Sequence, residues 1–90
     1  MTMTATRTLV VTNDLGLHIR SAGKLVNVIN KFQSTVWLAK GDDEVEGKSI
    51  MGVLTLVAPK GTEIEVTAEG PDADECLDAI EHLFASNFDE

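Results

Sequence analysis

Residues 63–84 read EIEVTAEGPDADECLDAIEHLF, and their hydrophobic period changes once, at Gly70-Pro71. From Glu63 to Glu69 the alternation is strict: Ile64, Val66 and Ala68 share one side, and Glu63, Glu65, Thr67 and Glu69 the other. Period two is a strand, and a charged side means that one face of its sheet meets water, the habit of antiparallel sheets. After Asp72 the apolar residues fall at Ala73, Cys76, Leu77, Ile80, Leu83 and Phe84, a single helical stripe. Asp72 is the expected N-cap, Asp74 and Glu75 suit the positive end of the helix dipole, and Asn87 is the expected left-handed C-cap. A half-wet strand followed by an amphipathic helix requires a sheet with helices laid on its dry face.

The residues upstream repeat that grammar. Arg7 to Thr12 is short, β-branched and stopped by Asn13-Asp14, so it reads as a strand, with residues 1–5 as a flexible tail. Ala22, Leu25, Val26, Ile29 and Phe32 form a stripe of period 3.6, for a helix starting near His18 and ending between Lys31 and Gln33. Thr35 to Ala39 is a second strand, turned by residues 40–43 into a short third strand at Glu44 to Glu46. Ser49 to Leu56 is expected as a short helix capped by Ser49, and Pro59-Lys60-Gly61 breaks the chain. The order is β-α-β-β-α-β-α, and the economical architecture is one four-stranded antiparallel sheet with three helices on one face. Strand order does not follow from these patterns.

Ninety residues, 43% of them hydrophobic, suffice for one domain with one core, so residues 1–90 are read as a single unit. The single cysteine, Cys76, excludes an internal disulfide framework and suits a reducing compartment. The first residues do not resemble a secretory leader and no stretch has the length of a membrane span, which points to the cytoplasm. A net charge of −8 argues against binding to nucleic acid or to an anionic membrane. All seven basic residues lie between Arg7 and Lys60, leaving none in residues 63–90, where ten residues are acidic.

The segment that carries chemistry is Gly16-Leu17-His18-Ile19-Arg20-Ser21-Ala22, at the junction of the first strand and first helix. A helix start offers free amide N–H groups and partial positive charge, which together favour a phosphate. The same field favours neutral imidazole, the form that attacks phosphorus. Arg20 can add charge-assisted donors to phosphoryl oxygens, and Gly16 permits a tight backbone entry.

This segment is similar to the active-site signature of the HPr family, the histidine phosphocarriers of the bacterial phosphoenolpyruvate:sugar phosphotransferase system. Residues 44–54, EVEGKSIMGVL, resemble the family's regulatory serine segment at the family's separation from the histidine, and Phe84-Ala85-Ser86-Asn87-Phe88 resembles its terminus. The resemblance runs from Arg7 onward and implies an open-faced β-sandwich. It implies a stoichiometric carrier rather than an enzyme, without cofactor or metal: His18 accepts the phosphoryl group on Nδ1, and Arg20 stabilises it. The amides of Ile19 and Ser21 would hold the phosphate. Ser49 would be the target of a serine kinase. Ile50, Met51 and Leu54 would form an exposed apolar dock for enzyme I and enzyme IIA-type proteins, flanked by Lys24 and Lys48, with the carrier a monomer. Two positions depart from the family pattern: Ile19 stands where a small residue is usual, and Ser21 where proline is usual. The Ser21 hydroxyl is therefore expected to donate directly to phosphohistidine. The alternative within the resemblance is a regulatory HPr-like module, of the nitrogen-type branch or signalling through Ser49, that does not feed sugar uptake.

Other readings fail on residue chemistry. Gly47-Lys48-Ser49 lacks the Walker motif's first glycine, since Asp42 stands there. Asp14, His18 and Ser21 lie too close in sequence for a hydrolase triad. His18, His82 and Cys76 have no zinc-ligand spacing, and Asp42-Asp43-Glu44 lacks a calcium-loop pattern. His82 is expected to pair with Asp78 one turn earlier, and Cys76 to lie in the core.

Overall fold

The computed structural model describes residues 3–90. Four strands and three α-helices follow one another along the chain: β1 (Met3–Val10), α1 (Ile19–Ile29), β2 (Thr35–Lys40), β3 (Asp43–Glu46), α2 (Ile50–Thr55), β4 (Glu63–Gly70) and α3 (Ala73–Ala85), closed by a 3₁₀ turn at Asn87–Asp89. The strands form one antiparallel sheet in the order β1-β4-β2-β3. The strand with the strictest alternation, β4, lies between β1 and β2, with Leu9 opposite Ile64 and Leu38 opposite Val66. Its Ile64, Val66 and Ala68 are fully buried, as are Leu25 and Ile29 of α1, Val53 of α2 and Ile80 of α3, all in one continuous core. The opposite face of the sheet carries Thr4, Thr6, Thr8, Glu63, Glu65 and Glu69, which stay in water.

The expected elements are present with shifted ends. β1 starts at Met3, because β4 is long enough to pair from Met3 opposite Gly70 to Val10 opposite Glu63. Met3, Thr4 and Ala5 of the expected tail are thus in the ladder, while residues 1 and 2 lie outside the described residues. α1 stops at Ile29, before the expected Lys31, because the chain after Asn30 turns to meet Asp72. Asp72 is the N-cap residue of α3 as expected, but its side chain makes no capping bond to the helix. Its carboxylate accepts from the amides of Gln33 (2.8 Å) and Ser34 (3.0 Å) and from the Ser34 hydroxyl (2.6 Å), stapling the α1–β2 loop to α3. The Ser34 hydroxyl and these amides hold the Asp72 pKa below its ordinary value. A depressed carboxylate contributes its full stability above the ordinary range and loses it as pH falls through the lowered value.

Asp78 gives its carboxylate to Arg7 of β1 at 2.7 Å, with Glu81 at 3.1 Å, rather than to His82, because Arg7 reaches it from the neighbouring strand. Cys76 is buried as expected, and burial pushes its thiol up to about 11. Asn87 is left-handed as expected, but Phe88 and Asp89 follow it there, with φ of 56°, 56° and 59°. Three such residues in a row are costly. The turn is held by burial of the Phe88 ring, whose centroid lies 4.8 Å from that of Phe84. No helix among the described residues is long and apolar enough to cross a membrane.

Candidate functional site

The loop between β1 and α1 is tied down at nearly every residue. Gly16 is left-handed (φ 68°), and a Cβ there would sit 2.4 Å from the Ala58 carbonyl oxygen, so glycine is required on two counts. The Leu17 amide donates to that same carbonyl at 2.8 Å. The Gly16 carbonyl accepts from the Asn13 side-chain amide (2.8 Å) and from the Ser21 hydroxyl (2.9 Å). Ser21 in turn accepts from the His18 amide at 3.0 Å. His18 is the N-cap of α1, in extended backbone conformation, and the Ser21 hydroxyl completes a capping box with it.

That geometry corrects the expectation for Ser21. Its side chain is fully buried, and its one hydroxyl proton is committed to the loop, so it does not face a phosphate on His18. Its work is to clamp the backbone of the histidine, the rigidity that a proline would supply by its ring.

The imidazole is part-exposed, and its two nitrogens meet different groups. Nδ1 faces the start of α1, where the Arg20 amide approaches at 3.4 Å. Nε2 meets a Glu90 carboxylate oxygen at 2.5 Å. Glu90 also accepts from Asn13 at 2.9 Å. The Asn13 amide, then the His18 ring, hold its carboxyl below the ordinary value, against the opposing effect of partial burial. The Arg20 guanidinium is exposed and enters no ion pair among the described residues, so it is free to turn toward an incoming anion. Ile19 is 71% exposed beside it.

Residues expected on the docking surface divide. Met51 is 71% exposed on α2. Ile50 and Leu54 are only half-buried and pack against the core, because a six-residue helix must spend part of its apolar face on the protein. They are edges of the patch rather than its exposed centre. Lys48 is exposed, but Lys24 is not a free cation: its ammonium donates to the Phe88 carbonyl at 2.6 Å and anchors the C-terminal turn. Ser49 caps α2 by accepting from the Gly52 amide at 3.0 Å. Further exposed apolar residues are Leu15, next to the site, and Val57, at the exit of α2. Sequence reading missed Glu90 and Asn13. Asn13 was legible only as a strand stop, and nothing in the local pattern links the far end of the chain to His18.

Among the described residues no group of three or more His, Cys, Asp or Glu could hold a metal ion. The arrangement is an imidazole nitrogen beside helix-start amides and an exposed guanidinium, suited to holding a tetrahedral anion.

The family model for the "PTS HPr component phosphorylation site" matches residues 5–86. The phosphocarrier protein HPr of Xylella fastidiosa strain 9a5c is 46% identical over 82 residues, covering 91% of this chain and 92% of that protein. The phosphocarrier protein NPr of Proteus mirabilis strain HI4320 is 42% identical over 89 residues, covering 98% and 99%. In three dimensions the chain is similar to the crystal structure of HPr-C-His from Thermoanaerobacter tengcongensis, with a TM-score of 0.92 and 36% identity, covering 96% of this chain and 97% of that one.

Proposed function

The chain belongs to the HPr family of phosphotransferase-system phosphocarriers, and from that premise we propose that it carries a phosphoryl group on His18. The observation that supports this reading most directly is the position of Nδ1 at the amide-bearing start of α1. Nδ1 attacks phosphorus, the leaving group departs with its electron pair, and the helix-start amides of Ile19 and Ser21 with the Arg20 guanidinium take up the charge of the phosphoryl oxygens. The carrier is charged by enzyme I and discharged to an enzyme IIA-type protein in the cytoplasm, docking one partner at a time as a monomer. It is consumed and regenerated stoichiometrically.

Ile19 and Met51 supply the exposed apolar contact, and Arg20 and Lys48 the positive charge that steers acidic partners. A flexible thioether suits a surface that docks more than one protein. Ser49 is the site for a serine kinase: phosphate there suits the helix start and places negative charge beside Met51. Relatives of similar identity carry both the HPr and the NPr name, so the receptor is proposed only as an enzyme IIA-type protein, serving sugar uptake or a nitrogen-type regulatory branch.

The test is incubation with enzyme I and labelled phosphoenolpyruvate. Wild type is expected to take acid-labile label and His18→Ala none. Label that persists in the variant, or a wild type that takes none, ends the proposal.

A further inference from the structure

We propose that Glu90, clamped by Asn13, is a positioning residue for His18: it holds the proton on Nε2, leaves the lone pair on Nδ1, and balances the charge that the ring acquires on phosphorylation. The inference rests on the carrier reading and deepens it.

The clamp is built from several elements. The Glu90 carboxylate has one oxygen on His18 Nε2 and the other on the Asn13 amide. Asn13 is 2% exposed, and the same amide nitrogen donates to the Gly16 carbonyl, so its orientation is dictated by two acceptors. The segment that delivers Glu90 is anchored on three sides. Phe88 is buried in the core, Lys24 holds the Phe88 carbonyl, and the Thr12 hydroxyl meets Asn87 at 2.6 Å. A run of three left-handed residues does not persist without such ties.

The chemistry follows from what a carboxylate can do. It only accepts, so the ring nitrogen facing it must carry the hydrogen, and Nδ1 is left as the nucleophile. When the Nδ1 lone pair forms the bond to phosphorus, the bond from phosphorus to the donor breaks and the donor leaves with that pair. The Nε2 hydrogen stays, and the ring becomes a cation facing Glu90. Discharge runs the same path backward and returns the ring to neutrality, so the carboxylate favours the charged carrier and shifts the balance toward charging. An opposite charge at this range shifts such an equilibrium by about tenfold to a thousandfold, and a pair this exposed belongs near the lower end.

The test uses the full ¹⁵N-labelled chain and phosphoramidate, which phosphorylates imidazole with loss of ammonia and needs no partner protein. Long-range ¹H–¹⁵N spectra report which ring nitrogen is protonated. In wild type Nε2 carries the proton. Glu90→Gln keeps an acceptor oxygen and so keeps that tautomer, but phosphorylation slows about tenfold for lack of charge. Glu90→Ala slows at least as much, and its share of the Nδ1–H tautomer rises. Asn13→Ala raises the Nδ1–H share in the wild-type background and leaves it unchanged in Glu90→Ala. The tautomer is the readout because Asn13 also ties the Gly16 carbonyl, which affects rate by itself. Ring shifts and rates in Glu90→Ala equal to wild type overturn the proposal, as does a further tautomer shift from Asn13→Ala in the Glu90→Ala background. A wild type that phosphoramidate does not label on His18 defeats the carrier reading instead, while the ring spectra still decide whether Glu90 sets the tautomer.

Discussion

The starts of α1 and α2 solve the same problem with unequal effort. Each opens on an N-cap side chain that accepts a helix amide, His18 from Arg20 and Ser49 from Gly52. Around His18 the loop is cross-tied by Gly16, Ser21, Asn13, Ala58 and Glu90, and most of those groups are buried. Around Ser49 there is one side-chain bond, exposed, and the helix it begins has six residues with Met51 in water. At its far end α2 leaves through Val57, a β-branched residue in the left-handed region (φ 50°), supported by the Lys40 ammonium on the carbonyls of Leu56 (3.2 Å) and Val57 (2.7 Å). A nucleophile must be placed to a fraction of an ångström, whereas a dock for several partners gains from looseness. The difference is between a site that is over-determined and a surface that is only supported.

The contrast is broken most directly at Gly16. Gly16→Ala drives a Cβ into the Ala58 carbonyl from a left-handed backbone and is expected to cost about 3 kcal/mol. The measurement is the urea unfolding midpoint, and a loss below about 1 kcal/mol would mean that the loop yields and is not over-determined. Next comes a matched pair of serines. Ser21→Ala removes a buried hydroxyl that serves two partners and is expected to cost about 2 kcal/mol. Ser49→Ala removes one exposed cap bond, for about 1 kcal/mol. Equal losses in the two unfolding curves would erase the distinction. A smaller effect of opposite sign is expected at Val57. Replacing it by glycine relieves the left-handed strain and raises stability by about 0.5 kcal/mol, after glycine's own entropy cost. Smallest in stability is Ser49→Asp, since aspartate caps as well as serine. Its thermal midpoint should match wild type while phosphorylation by enzyme I slows, and unaltered transfer kinetics would remove Ser49 from the dock.

Most of the fold was readable because its signals are local. The alternation of residues 63–69 and the stripe of α3 each follow from a backbone period that burial imposes on nearby residues. Element ends were less legible. β1 reaches back to Met3 only because a partner strand is there to pair with it, and the Asp72 carboxylate turns from the α3 amides to Ser34 only because that residue is within reach. At the site, the place of His18 and Arg20 at a helix start could be read from the sequence. The Ser21 hydroxyl was assigned to the wrong partner, since sequence shows that a donor exists but not which acceptor is closer.

From the chain's letters alone came the class of fold, the order of its elements, a histidine at a helix start and an exposed methionine on the second helix. Those depend on hydrophobic period and on groups a few residues apart. Folding alone decided the strand order, the clamp of Ser21 on His18 and the arrival of Glu90 at a ring 72 residues away. Contacts of that kind are chosen by which surfaces the packed core leaves adjacent, and no local pattern encodes them.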